Sequence, residues 1–178
     1  DFIPLAALAE EACRLEIEIL GKPIGKQDQY LATFGGLTIL DIDRAGRVQV
    51  RPAKVSRQTI DELERTLLIF HTGTTRDSLD ILAGQSRATA AGDRTVVESL
   101  HRIKEIGLRV HAAIEAGDLT RFGRLLDEHW QTKKRLSARV SDPRLDALYD
   151  LAKRHGALGG KVMGAGGGGF FMFYCEAG

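Results

Sequence analysis

Apolar residues recur along this chain with two different periods, and the changes of period mark out its elements. Leu5, Leu8, Ala12, Leu15 and Ile19 repeat at helical spacing, with Pro4 tolerated in the first turn and Gly21 suited to the stop. Glu10, Glu11, Glu16 and Glu18 lie off that stripe and read as solvated. Pro23, Gly25, Gly35 and Gly36 then surround a polar centre, which predicts a loop, a short helix over residues 27–33 and a glycine turn. Residues 37–42 and 48–53 are short β-type runs, and Asp43-Arg44-Ala45-Gly46 between them makes a hairpin. Turn chemistry accounts for Asp41 and Asp43 more simply than a metal does.

A helix capped by Ser56 follows, then a six-residue apolar run from Thr66 that reads as a buried strand. Helices are predicted over residues 78–91, on a face of Leu100, Ile103, Gly107, Val110 and Ile114, and on Leu119, Phe122, Leu125, Leu126, His129 and Trp130 as far as Ser137. Gly117-Asp118 stops one and caps the next. Asp142-Pro143 opens a last helix burying Leu145, Leu148, Leu151 and Ala152, with Gly156 at its end. Two apolar strands close the chain around a glycine loop. Helices segregated against a mostly antiparallel sheet make an α+β fold.

Composition narrows the function. A formal net charge of +1 on 178 residues argues against a dedicated nucleic-acid binder, which carries a basic stripe. Cys13 and Cys175 are too few and too far apart for a disulfide framework, and there is no CxxC or Cys/His metal spacing. A reducing cytoplasm fits best. No apolar run reaches the roughly 18–20 residues of a membrane span. Asp1 enters directly into a helical pattern, which reads as a piece of a longer chain.

Two stretches carry candidate chemistry. Gly164-Ala165-Gly166-Gly167-Gly168-Gly169 lies between the closing strands. Such a run is either a tight hairpin or bulge, or a nest of amides suited to phosphate. Far upstream, Gly25-Lys26-Gln27-Asp28-Gln29-Tyr30 places an acid between two amides. Asp28 either accepts or orients a substrate hydroxyl, with Lys26 keeping it ionised, or is a solvated turn residue. None of the Gly-Lys pairs is followed by Ser or Thr, which excludes a Walker-type loop. No long helix follows the glycine loop, so it is not a dinucleotide fingerprint either.

Taken in this order and separation, the two stretches resemble the GHMP kinases. The upstream stretch with Phe34-Gly35-Gly36 resembles their catalytic-aspartate motif, and residues 161–169 resemble their third motif, a glycine loop close to the nucleotide phosphates. The Gly-Lys-Gln-Asp-Gln-Tyr wording, the Thr72-Gly73…Arg76 loop and the Trp130…Lys133-Lys134 helix are most similar to the heptose 7-phosphate kinases of that superfamily. The resemblance implies an ATP- and Mg²⁺-dependent kinase acting on a sugar hydroxyl. Residues 1–54 would be the tail of its N-terminal domain and residues 55–178 its ferredoxin-like C-terminal domain. It implies Asp28 as the catalytic base or orienting group, Gln27 and Gln29 as hydroxyl partners, and Glu16 as the Mg²⁺ ligand. Gly164, Ala165, Gly166, Gly167 and Gly168 would approach the phosphates, and Arg76 with Lys133 or Lys134 would grip a phosphorylated sugar. Read as residues alone, Glu16 is equally a solvated helix glutamate, Arg76 and the lysines exposed cations, and Trp130 core. The superfamily's main phosphate loop, Pro-x-x-x-Gly-Leu-Gly-Ser-Ser, would lie before Asp1, so this chain alone is expected to be weak or inactive. Other expectations are a partner in the missing N-terminal segment, room for a homo-oligomer, and neither nucleic acid nor membrane as ligand. A fucose or galactose kinase of the same fold, a non-catalytic binding module and a purely structural fragment are the alternatives.

Overall fold

The computed structural model describes residues 3–74 and 78–176. The chain divides into two compact units, residues 1–54 and 55–178, each with its own core.

In the first unit α1 (Leu5–Cys13) runs on into π-helical turns at Arg14–Ile19, where the Leu20 amide reaches back five residues to the Leu15 carbonyl at 3.0 Å. A loop leads to α2 (Gln27–Phe34), and a hairpin follows, β1 (Thr38–Ile42) with β2 (Val48–Pro52). The turn between the strands is set by Asp43, whose Oδ1 accepts from the amides of Ala45 (2.8 Å) and Arg47 (3.0 Å). The core is Ala9, Cys13 and Tyr30, backed by Ile17, Phe34, Leu40, Val48 and Val50. This corrects the expected helix face. Leu5, Leu8, Leu15 and Ile19 are exposed, and the buried stripe is the 9–13–17 line beside it. Apolar composition marks both lines, and only the partner α2 selects the one with the small side chains.

The second unit is built on a three-stranded antiparallel sheet in the order β3 (Leu67–His71), β5 (Phe170–Cys175), β4 (Ala157–Val162). Its helices are α3 (Arg57–Thr66), α4 (Ser78–Ala90), α5 (Arg94–Glu115), α6 (Leu119–Lys134) and α7 (Pro143–Arg154). Ser56, Asp93, Asp118 and Asp142 cap α3, α5, α6 and α7, each accepting an amide three residues on. The central strand β5 is apolar at every position and serves two clusters. Phe171 and Phe173 join Trp130, Val140, Leu145 and Tyr149, whereas Met172 and Tyr174 join Leu63, Ile106, Phe122 and Leu125. Phe171 stacks on Phe173 at 5.0 Å and meets Trp130 edge-on at 5.8 Å, contacts of about 0.5–1.5 kcal/mol each beyond burial.

The run from Thr66, read as a buried strand, is instead an edge strand with Leu68, Ile69 and Phe70 exposed. A short apolar run looks the same in sequence at an edge or at the centre. Small phase errors recur on two helices. Val96, Ser99, Ile106 and Ala113 are the buried line of α5, and on α7 Tyr149 takes the buried place expected of Leu148 and Leu151.

Candidate functional site

The two predicted stretches fall in different units. Gly35 and Gly36, at φ 66° and 62°, end α2 in a backbone that side chains rarely adopt. Asp28 sits in the first turn of this helix, where the N-terminal amides favour a carboxylate, and its side chain is exposed. Its flanks are pinned. The Lys26 ammonium donates to both oxygens of Glu10 (3.0 and 2.8 Å), and the buried Tyr30 hydroxyl donates to the same carboxylate at 2.5 Å. Those bonds hold Glu10 below the usual carboxylate range, Lys26 first and Tyr30 second. Burial, then Glu10, pushes the Tyr30 phenol up. Lys26, expected to keep Asp28 ionised, therefore has Glu10 as its partner.

Glu16 lies on the π-helical segment. Lys22 donates to its Oε2 at 2.7 Å and Gln29 to its Oε1 at 3.0 Å, and the Lys22 bond is the first cause of its lowered pKa. Gln29 is buried and its Oε1 has no hydrogen-bond partner among the described residues, whereas Gln27 is exposed. No group of three or more His, Cys, Asp or Glu able to hold a metal occurs among the described residues. A cation on Glu16 would first have to displace the Lys22 ammonium, so Glu16 fits Mg²⁺ only as a single ligand beside phosphate and water oxygens.

In the second unit Gly159 and Gly160, written next to the glycine loop in sequence, belong to strand β4. A Cβ on Gly159 would come within 2.0 Å of the Gly123 carbonyl, because α6 lies directly on the strand there. The loop itself keeps Gly164, Gly166, Gly167, Gly168 and Gly169 at positive φ. Backbone bonds fix its far end: the Gly167 amide donates to the Val140 carbonyl (2.7 Å), Gly169 to Thr74 (2.8 Å), and Thr72 to Gly169 (2.8 Å). A Cβ on Gly168 would meet the Thr74 carbonyl at 2.7 Å. At the near end the buried Lys133 ammonium donates to the Gly164 carbonyl.

Lys133 is thus no free surface cation. Burial, then the like charge of Lys161 on β4, pulls its pKa down to about 8. His129, one turn earlier on α6, is held down to about 3 by burial and by the same two lysines. Lys134 faces elsewhere, on Asp146 at 3.1 Å. Trp130 is fully buried core. Arg76 lies outside the described residues. Glu10 and the Lys161–His129 pair were missed by sequence reasoning. Glu10 meets Lys26 and Tyr30 across sixteen and twenty residues, a separation that leaves no local signal, while the i, i+4 spacing of His129 and Lys133 was the only hint of the second group.

Residues 110–177 match the family model of the GHMP kinases C-terminal domain. The chain is 34% identical to the D-glycero-alpha-D-manno-heptose 7-phosphate kinase of Campylobacter jejuni, over 95% of this chain and 49% of that protein. It is 32% identical to the L-fucokinase/L-fucose-1-P guanylyltransferase of Bacteroides fragilis, over 99% of this chain and 19% of that protein. The crystal structure of a D-glycero-D-manno-heptose 1-phosphate kinase from Bacteroides thetaiotaomicron superimposes with a TM-score of 0.68 at 31% identity, covering 94% of this chain and 44% of that one. The chain spans about half the length, or less, of the relatives it matches. With both motifs, the α+β fold and these likenesses in agreement, the chain carries a GHMP kinase C-terminal domain.

Proposed function

We propose that this chain is the C-terminal part of an ATP-dependent sugar kinase that phosphorylates the anomeric hydroxyl of D-glycero-D-manno-heptose 7-phosphate. The observation that carries the reading is an exposed acid on a pinned helix, in the same chain as a glycine loop that only glycine could build. The choice of sugar rests on the likeness to the Campylobacter heptose kinase.

In this reading Asp28 accepts the proton of the attacking hydroxyl or orients it, with Gln27 and the unpaired Gln29 oxygen as hydroxyl partners. The sugar oxygen forms the new P–O bond as the bond to ADP breaks. Phosphoryl transfer depends almost wholly on positioning and charge stabilisation, which the amides of residues 164–168 other than that of Gly167, together with the charge of Lys133, would supply. Arg76 is the further cation offered to the sugar phosphate. Mg²⁺ would screen the phosphate oxygens, with Glu16 as one ligand once Lys22 gives way. Both cysteines are free, in keeping with a cytoplasmic setting. No helix among the described residues is long and apolar enough to cross a membrane.

The test is ADP release from ATP and Mg²⁺ by the parent chain with heptose 7-phosphate, fucose, galactose and mevalonate side by side. Release with heptose 7-phosphate alone is expected. Release with fucose instead would favour the second reading, a fucokinase-like enzyme, which the likeness to the Bacteroides fragilis protein supports. No release with any of them would return the chain to a non-catalytic binding role.

A further inference from the structure

The Lys133 contact with the glycine loop has a geometric consequence. In a trans peptide the carbonyl and the next amide point in opposite directions, and the chain has no cis bonds among the described residues. Because the Gly164 carbonyl turns toward Lys133, the Ala165 N–H turns away from it. Gly164, at φ 68°, is exposed, while Ala165 is half-buried with its methyl toward the core, and its amide donates to no backbone carbonyl among the described residues. The amides of Gly167 and Gly169, by contrast, point into the domain at Val140 and Thr74.

Among the described residues the charge beside this peptide is of one sign. Lys133 bonds a carbonyl rather than an acid, and the ionisable groups beside it are Lys161 from β4 and His129 from α6 itself. The nearby acids are engaged elsewhere. Asp146 of α7 takes Lys134 and Ser141, and Asp127 of α6 takes Tyr149, Gln131 and Lys153. Two lysines side by side, Lys133 buried and Lys161 half-buried, with no acid paired to either among the described residues, are unfavourable by themselves and are relieved by an anion.

We propose that Lys133 is a positioning residue for phosphate. It fixes the Gly164–Ala165 peptide so that the Ala165 amide faces outward, and with Lys161 it forms an electropositive floor for a phosphate group at the loop's open end. The proposal deepens the kinase reading and rests on it in one respect, that the loop receives a phosphate. The phosphate belongs either to the nucleotide or to the phosphorylated sugar.

Protonated Lys133 carries the charge that attracts the phosphate, so binding weakens as pH rises through about 8. Neutral His129 does not titrate in that window, and a phosphate monoester has already lost its second proton near pH 6. Calorimetric titration of the parent chain with ADP, heptose 7-phosphate and inorganic phosphate between pH 6.5 and 9.5 tests this. The wild type should weaken by up to about tenfold per pH unit above the midpoint. Lys133→Met should weaken binding at least about tenfold at pH 7 and flatten the profile. Lys133→Arg, always charged, should restore binding and hold it to pH 9.5. Lys161→Met should move the midpoint upward by removing a like charge. Effects confined to ADP place the nucleotide's phosphate at the loop, and effects confined to heptose 7-phosphate place the sugar's. Wild-type affinity in Lys133→Met, or a flat wild-type profile, overturns the proposal alone. A folded wild type that binds none of the three overturns it together with the phosphate reading of the loop.

Discussion

In residues 1–54 the candidate site hangs on side chains: Glu10 gathers Lys26 and Tyr30, Glu16 gathers Lys22 and Gln29, and Asp28 is carried between them on an exposed turn. In residues 55–178 it hangs on backbone, with glycines seated against Val140 and Thr74 and, among the described residues, one side chain, Lys133, bonded to the loop. The difference teaches how each region should fail. A side-chain frame loses one bond at a time and leaves the helices standing. A backbone frame tolerates no added atom, because neither neighbour can move aside.

The largest effect expected is chemical. Asp28→Asn in the parent chain should lower turnover by about 10²–10⁴-fold while the circular dichroism spectrum and ADP affinity stay as they were. An unchanged turnover would remove Asp28 from the reaction and leave the first region a scaffold. Next come the glycines. Gly159→Ala forces a Cβ against the backbone of α6, and a loss of about 3 kcal/mol or more is expected, read as a lower midpoint in urea. Gly168→Ala meets only the loop's own anchor at Thr74, so it should abolish nucleotide binding with a smaller change in stability. Equal losses in both would show that strand and loop unfold as one piece.

A pH experiment separates the regions further. Half-buried His129 is neutral in the fold, its pKa lowered by desolvation and by Lys161 and Lys133 to about 3 against 6.5 in an unfolded chain. The unfolded state therefore binds the extra proton, and the stability His129 contributes above pH 6.5 is lost as pH falls toward 3. Its share is at most about 1.4 kcal/mol per pH unit in that window. Between pH 6.5 and 4.5 the wild type should lose stability faster than His129→Gln, and parallel curves would exclude burial of the neutral ring. The smallest effect belongs to the first region. Tyr30→Phe removes one bond to Glu10 and keeps the ring, so about 1 kcal/mol is expected, read by hydrogen exchange in α1 and α2. A global fall in stability would erase the contrast between the two frames.

The element order, the hairpin at Asp43, the caps at Ser56 and Asp118 and the exposed acid at Asp28 were all legible, because each depends on residues within a few positions of one another. The helix faces were legible only to within one position, since Leu5 and Leu8 look as buried in sequence as Ala9 and Cys13. Lys26 shows the limit at the site. Its neighbour in sequence is Asp28, but its partner is Glu10, sixteen residues away across a loop.

By itself the sequence determined which residues bend the backbone and which carry charge. Glycine at positions 164 and 166–169 permits positive φ anywhere, and the two motifs identify the family before any coordinate is known. Only the tertiary structure decided what those residues face. Seating α6 on β4 buried Lys133 beside Lys161 and His129 and turned one peptide of the loop, and packing of α1 against α2 gave Glu10 and Glu16 their partners. Periodicity is a property of neighbours along the chain, whereas burial and charge pairing belong to neighbours in space. Those neighbours exist only once the elements have packed.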